Sequence, residues 1–255
     1  MNTITSLSEK INNAKTLDFG TLFSQCIELF KKVWVQGLVM LLLTIAFIIP
    51  FYIIIYLPLI AMGFFEDQMT GYNNDPELIF MIPFILLILV FSIFAMIVTF
   101  GMKASFYRIC KIKDLNEAKS DDYFYYLKRP HLGKVITLSL MSFGISLLAV
   151  LLCVLPIIYV VVPIALINVV FAFNPEMKAS DIVKASFNLG NKKWLITFGL
   201  MIIAGLLAEI VGFMLCFIGI FATASFAYLP AYFIYKESVG FEDSYIVDSI
   251  EEIDQ

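Results

Sequence analysis

Glu209 is the side chain with the clearest capacity for chemistry, because it is the one ionisable residue well inside a long apolar run. The run Trp194–Tyr235 contains no other charge. A charge at the centre of a membrane helix costs about 2.5–3.5 kcal/mol on insertion scales, so an intramembrane acid indicates a functional site by default. Proton or cation coupling is one interpretation. The other interpretation is structural: Glu209 lies toward the predicted external end, where it is either protonated or paired with a neighbouring hydroxyl or Asn168.

Other reactive residue types are scarce. His131 is the only histidine, and the cysteines Cys26, Cys110, Cys153 and Cys216 show no C-x-x-C spacing. Histidine-clustered iron, haem and zinc sites are therefore not expected. The sequence also lacks a phosphate-binding glycine loop and the common hydrolase motifs. We expect no metal, no cofactor and no enzymatic activity, and we leave a disulfide between Cys153 and Cys216 open.

The composition indicates that the chain is a membrane protein. Of 255 residues, 61% are hydrophobic and 15% are charged, and the mean hydropathy is +0.91. Soluble domains carry about 25% charged residues. The first 32 residues hold no apolar stretch typical of a cleavable signal peptide. We therefore expect an integral membrane protein that is inserted through its first span.

Four apolar runs supply the spans. A membrane helix needs about 20 apolar residues. Two of the runs, Val135–Phe173 and Trp194–Tyr235, contain at most one charge and are too long for one helix. Each must therefore contain two spans, with the turn near Pro156 in the first run and near 217–219 in the second. The sequence thus predicts an all-α protein with six transmembrane helices, drawn from the runs Val33–Gly63, Leu78–Met102, Val135–Phe173 and Trp194–Tyr235.

The basic residues predict the orientation. All 17 lysines and arginines fall on one side of this six-span scheme, and the predicted external loop Phe64–Glu77 has four acids and no base. Cytoplasmic loops collect Lys and Arg. Both termini are therefore expected in the cytoplasm.

The chain also suggests an internal repeat of a short amphipathic segment, a basic cluster and a transmembrane hairpin. The units are about 17–102, 120–174 and 175–236, within one membrane domain 1–236. Two junctions pair lysines with a tryptophan that we expect to anchor at the membrane surface: Lys31, Lys32 and Trp34, and Lys192, Lys193 and Trp194. Coincidence among apolar segments is the alternative.

The third amphipathic segment is the best defined in sequence. Asn174 is expected to cap a helix whose first turn holds Pro175 and Glu176, and Gly190 is expected to end it. We expect this helix to lie in the membrane surface with its apolar side down.

Small residues predict tight packing of the last hairpin. Four-residue spacing in two neighbouring spans favours close helix contact in lipid. A permeation path between these helices is the alternative. The stripes are Ala204, Ala208 and Gly212 in span five, and Gly219, Thr223, Ala227 and Ala231 in span six.

Two polar segments suggest partners. The basic segment Lys103–Lys134 would suit anionic lipid head groups, although the positive-inside rule also explains it. The tail 237–255 has seven acids and no base, so it either docks a partner or is disordered. Nucleic acid binding is not implied.

The stretch Asn174–Trp194, with its serine, aromatic, Gly-Asn, lysine pair and tryptophan before a Gly/Ala-rich hairpin, resembles the YciC-like family and the membrane domain fused to some glycerophosphodiester phosphodiesterases. The resemblance implies a module of the bacterial inner membrane. The hydrolase is not implied, because this chain has no room for a catalytic domain. We expect a non-enzymatic accessory or scaffold subunit that works with partner membrane proteins or lipids. The alternative is a small transporter or lipid-handling protein that uses the bundle interior.

Overall fold

The computed structural model describes residues 3–69, 78–152, 154–215 and 218–241, and this part of the chain is almost entirely helical. Two 3₁₀ helices, Tyr125–Leu127 and Ala224–Tyr228, interrupt the α-helices. The α-helices are α1 (Ile4–Asn13), α2 (Phe19–Met69), α3 (Leu78–Asp114), α4 (Arg129–Leu151), α5 (Val154–Phe173), α6 (Ala179–Lys192), α7 (Trp194–Met214), α8 (Ile218–Thr223) and α9 (Leu229–Val239).

Among the described residues, five helices are long and apolar enough to cross a membrane, which confirms an all-α protein with several membrane-compatible helices. Each carries enough consecutive apolar residues to span a hydrocarbon core of about 30 Å. The qualifying segments are Phe19–Ile54, Ile85–Asp114, Arg129–Leu151, Pro156–Phe173 and Trp194–Met214.

The first amphipathic segment is not separate from the first span. Residues Phe19–Met69 form one helix of 51 residues, about 76 Å long at about 1.5 Å per residue. Asp18 caps it: one carboxylate oxygen accepts hydrogen bonds from the Thr21 N–H and hydroxyl, both at 2.8 Å. These bonds hold the pKa of the Asp18 carboxyl below its usual value. Helical propensity and this cap carry α2 through the predicted junction without a break.

The sequence missed α1. A reciprocal cap between Thr3 and Ser6 begins this helix. Its Leu7 and Ile11 are buried at 0% and 1% exposure, and the helix packs against α6 and α9. A ten-residue helix is marginal alone, so this packing is what stabilises α1.

The prediction for the third amphipathic helix was wrong at both ends. The helix α6 begins at Ala179, and the Asn174 side chain turns back to donate to the Val170 carbonyl at 2.9 Å and the Tyr235 hydroxyl at 2.7 Å. Gly190 lies inside α6 instead of ending it. A buried amide that donates to a carbonyl at the end of α5 and to a tertiary hydroxyl is worth more here than a local cap.

The helix α6 runs antiparallel along α5. The two are joined by a short turn after Phe173, and at its far end Gly190 contacts the ring of Pro163. Its buried face, which includes Ile182, Ala185 and Leu189, is covered by protein.

The predicted sixth span is broken into α8, a 3₁₀ helix and α9. Pro230 lies in the first turn of α9, where it cannot donate to the carbonyl four residues earlier, and proline disfavours α conformation in the residue before it. No piece of this segment alone reaches the length of a membrane span.

The core is centred on α9 and the C-terminal ends of α3 and α5. Tyr232, Tyr235, Phe106 and Phe171 are among the largest fully buried side chains. Phe241, five residues beyond the predicted domain end, packs its ring 4.7 Å from that of Phe173.

Candidate intramembrane site and lysine–tryptophan junctions

Glu209 lies in α7 on the outer surface of the protein, not in the bundle interior. Its neighbours Leu206 and Ile210 are also exposed, at 53% and 57%. Within the described ranges, no hydrogen bond or ion pair reaches its carboxylate. The geometry gives Glu209 no internal partner.

Asn168 does not pair with Glu209. It lies half-buried in α5, and its side-chain oxygen is buried without a hydrogen-bond partner among the described residues. The two residues proposed as one polar site are therefore not brought together by the fold.

The small residues of α7 lie against α8. Ala204, Ala208 and Gly212 are buried, and a side chain at Gly212 would come within 2.6 Å of the Ile220 backbone. The Thr223 hydroxyl donates across the hairpin to the Ala208 carbonyl at 2.7 Å. A hydroxyl that satisfies a backbone carbonyl of the opposing helix suits a helix pair in lipid.

The second stripe does not remain on one face. The 3₁₀ helix Ala224–Tyr228 turns about 120° per residue instead of about 100°, so it rotates the later residues of the stripe away from α7. Gly219 and Thr223 stay beside α7, Ala227 is half-buried, and Ala231 belongs to the core around α9.

At the second lysine–tryptophan junction, Trp194 completes the backbone bonding of α5. Pro163 has no N–H to offer the Tyr159 carbonyl four residues earlier. The Trp194 indole N–H donates to that carbonyl instead, at 3.1 Å, and the Tyr159 hydroxyl donates to the Asn191 side chain at 2.5 Å. The motif Gly190–Trp194 is thus the docking site for a proline-interrupted helix.

The two lysines of this junction hold α1. Lys192 donates to the Asn12 carbonyl at the end of α1, and Lys193 donates to the Lys15 carbonyl at 2.5 Å. The last carbonyls of a helix have no partner within it, and cations there favour the helix dipole. Burial, together with the adjacent charge of Lys192, lowers the pKa of the Lys193 ammonium.

At the first junction, Lys31, Lys32 and Trp34 are exposed, Trp34 at 44%. They lie within α2, and none of the described side chains or carbonyls bonds to them. The two junctions share residues but not contacts.

A buried polar cluster near the end of α3 had no clear sequence signal. One carboxylate oxygen of Asp114 accepts from the Tyr232 hydroxyl and from Lys236, both at 2.7 Å. These bonds attach α9 to α3. Only the spacing of Tyr232 and Lys236, one helical turn apart, hinted at a shared partner.

The aromatic segment 123–127 is a turn closed by the first 3₁₀ helix. The Arg108 guanidinium lies 4.3 Å from the centre of the Tyr125 ring, and His131 stacks on that ring. The Tyr126 hydroxyl donates to the Ala172 carbonyl at 2.5 Å, and burial raises the pKa of this phenol. His131 therefore has a packing role.

In the ranges that the structure describes, no group of three metal-ligating residues comes together. Cys26 and Cys110 are buried free thiols. Cys153, Cys216 and the tail beyond Phe241 lie outside the described residues, so the disulfide and the tail remain predictions.

Comparison with known proteins gives no match to a family model, to a curated protein or to a solved structure.

Proposed function

We propose that the chain is a non-enzymatic integral protein of the bacterial inner membrane that acts as an accessory or scaffold subunit with partner membrane proteins or lipids. The observation that carries this proposal is the position of Glu209. Glu209, the one charged residue of the last hairpin, faces outward, where another molecule can reach it. Among the described residues, no interior side chain bonds to its carboxylate.

The packing favours this function over a transporter that uses the bundle interior. Large side chains such as Phe106, Phe171 and Leu166 are fully buried in the core. Two cavities of about 170 and 180 Å³ open between helices, and mostly apolar side chains line both. Such cavities suit lipid acyl chains better than a polar solute.

We further propose six spans with both termini in the cytoplasm, arranged as three repeated units. The one-sided distribution of the 17 basic residues supports this topology. The segment Ile218–Val239 would supply the sixth span as a chain of short helices, since interrupted helices are tolerated in membranes where neighbouring elements satisfy the backbone.

One contact argues against full crossing by α5. Six alternating spans put the start of α5 outside and the start of α7 inside, yet Tyr159 and Trp194 are hydrogen-bonded. Thiol labelling of a cysteine-free variant with single cysteines at Leu152 and at Asn191 decides the matter. If the two cysteines are labelled from opposite sides of the membrane, the result supports six spans. If both are labelled from the same side, α4 and α5 form a hairpin that enters the membrane without crossing it.

Native purification followed by mass spectrometry tests the function itself. A stoichiometric membrane-protein partner, or a defined set of bound lipids, is the expected result. A homogeneous particle of this chain alone that takes up a solute through a central path would overturn the accessory function and support the transporter.

The basic segment Lys103–Lys134 supports binding to anionic head groups as part of this function. Lys103 and Arg108 lie against tyrosine rings and Lys128 is paired with Asp122, which leaves exposed Arg129 as a candidate contact. Vesicles with and without anionic lipid would separate this contribution from protein binding.

A further inference from the structure

The helix α7 presents an outward row of side chains that no described residue covers. They recur at intervals of three, four or seven residues, which is the spacing of a helix that packs along a partner helix. Their exposure includes 78% for Leu195 and 53% for Leu206. We define the outer row of α7 as Leu195, Ile202, Leu206 and Glu209.

Glu209 is the polar member of the outer row. Ionisable residues within membrane helices almost always face the bundle interior or a water-filled cavity, or pair with another polar group. A helical side chain leans toward the N-terminus of its helix, so Glu209 leans back toward Leu206 and away from the nearby helix end at Met214. A carboxylate has only acceptors. In its ionised form, Glu209 would need a donor from outside the described structure, at the same depth.

In the proposed six-span topology, a second copy of this chain does not supply a cation at that depth. The apolar runs 33–63, 78–102, 135–173 and 194–235 contain no lysine or arginine. A copy related by an axis along the membrane normal would place another acid opposite Glu209. Charge complementarity thus selects a different protein.

We propose that the outer row of α7 binds one transmembrane helix of another membrane protein, and that this helix carries a lysine or arginine facing Glu209. The proposal rests on the accessory function and names its docking site. A single polar position in an otherwise apolar seam fixes the register of two helices, because any shift leaves the charge unpaired. The apolar members supply contact area, and Glu209 supplies specificity.

Photo-crosslinking in native membranes tests this contact. A photoreactive amino acid replaces Ile202 or Leu206 in the full chain, and Leu148 of α4, which is 60% exposed, serves as the matched control outside the row. Both row positions are expected to label the same protein. The labelled peptide is expected to belong to a membrane helix with a basic residue within one turn, and the control is expected not to label it.

Charge exchange then tests the pair. Glu209→Gln is expected to reduce labelling from Leu206 by about tenfold or more, since each 1.4 kcal/mol of lost pairing is a factor of ten. Glu209→Lys is expected to abolish labelling, and an acid in place of the basic residue on the labelled helix is expected to restore it. If Glu209→Lys fails to accumulate, labelling from Leu206 in the isosteric Glu209→Gln variant still tests whether the charge pair exists.

Three results would overturn the proposal: labelling of a second copy, labelling of a helix without a basic residue, or full labelling in Glu209→Gln. Failure of the accessory function looks different. A partner that co-purifies but is labelled only from other surfaces leaves the function standing and removes this docking site, whereas absence of any partner in native purification removes both.

Discussion

Other segments surround the junction at Lys192–Trp194, whereas the junction at Lys31–Trp34 lies in the middle of one long helix with its side chains exposed. In the first case each side chain donates to a backbone carbonyl of α1, α5 or the linker after α1. In the second case none of them does so within the described residues. The same residue types therefore serve as tertiary donors at one place and as surface residues at the other.

The difference has a physical origin in available acceptors. Pro163 exposes the carbonyl of Tyr159, and the end of α1 exposes that of Asn12, so the later junction meets unpaired acceptors. Around the first junction the helix α2 satisfies its own backbone and offers none, because its prolines, Pro50 and Pro58, lie well beyond Trp34. A lysine–tryptophan motif thus becomes structural where a neighbouring helix ends or is interrupted.

The largest effect is expected from Gly190→Leu. A side chain there would come within 2.9 Å of the Pro163 ring and 3.2 Å of its backbone, so α6 would be forced away from α5. Overpacking of this kind costs about 1–3 kcal/mol or more. Urea unfolding in detergent micelles measures it. Gly144→Leu, where nothing lies within 4 Å, is the matched control, and equal losses for both would contradict the docking role of Gly190.

A smaller effect is expected from Lys193→Met. Loss of the donor to the Lys15 carbonyl should loosen α1 and the segment after it, at a cost of about 1–2 kcal/mol for a largely buried charged donor. Limited proteolysis of the N-terminal segment reports the loosening. Lys32→Met should leave the cleavage rate unchanged, and faster cleavage in that variant would abolish the contrast between the junctions.

The indole bond is expected to contribute less. Trp194→Phe removes the donor to the Tyr159 carbonyl, at a cost of about 0.5–1.5 kcal/mol in unfolding free energy, because the bond lies near the surface. Trp34→Phe should be neutral. A neutral result for both tryptophans would show that the bond adds nothing.

Pro163→Ala sharpens the same comparison. Alanine restores the N–H that bonds the Tyr159 carbonyl within α5, so the indole loses its special acceptor. The cost of Trp194→Phe should then fall by about 0.5 kcal/mol or more, as a double-mutant cycle measures. Independent, additive effects would disconnect the tryptophan from the proline.

The smallest effect concerns the cap of α2. The Thr21 N–H and hydroxyl lower the pKa of the Asp18 carboxyl, so the cap contributes at pH values above the usual carboxyl pKa of about 3.9 and is lost as the pH falls through the lower folded value. Asp18 is exposed, so only the first turn should fray. Hydrogen exchange at Thr21 should show the same loss of protection in Asp18→Ala at pH 6 as in the parent at low pH.

Much of the helical framework can be predicted from apolar runs and prolines. The run Val135–Phe173 is too long for one helix and does divide, although the break precedes Pro156, which lies in the first turn of α5. The helix α1 was missed because its two core residues, Leu7 and Ile11, are too few to stand out among polar neighbours. Its stability comes from α6 and α9, which no local pattern reveals.

The sites were harder to predict than the helices. The spacing of the small residues of α7 predicts close packing, and Ala204 and Ala208 are indeed buried. Glu209 stands out in the sequence, but its outward direction depends on which face of α7 the last hairpin covers. The bond between Asn174 and Tyr235 joins residues 61 positions apart, and local capping rules favoured the wrong partner for that amide.

The bond from Trp194 to Tyr159 also has a consequence in time. The donor is 35 residues later in the chain than its acceptor, which at about 5–20 residues per second is about 2–7 s of translation. Throughout that interval the Tyr159 carbonyl of the nascent α5 has no hydrogen-bond donor within its own helix, because Pro163 has no N–H. The ribosome must deliver the first residue of α7 before α5 is finished, so a chain arrested before Trp194 would hold α5 in an incomplete state.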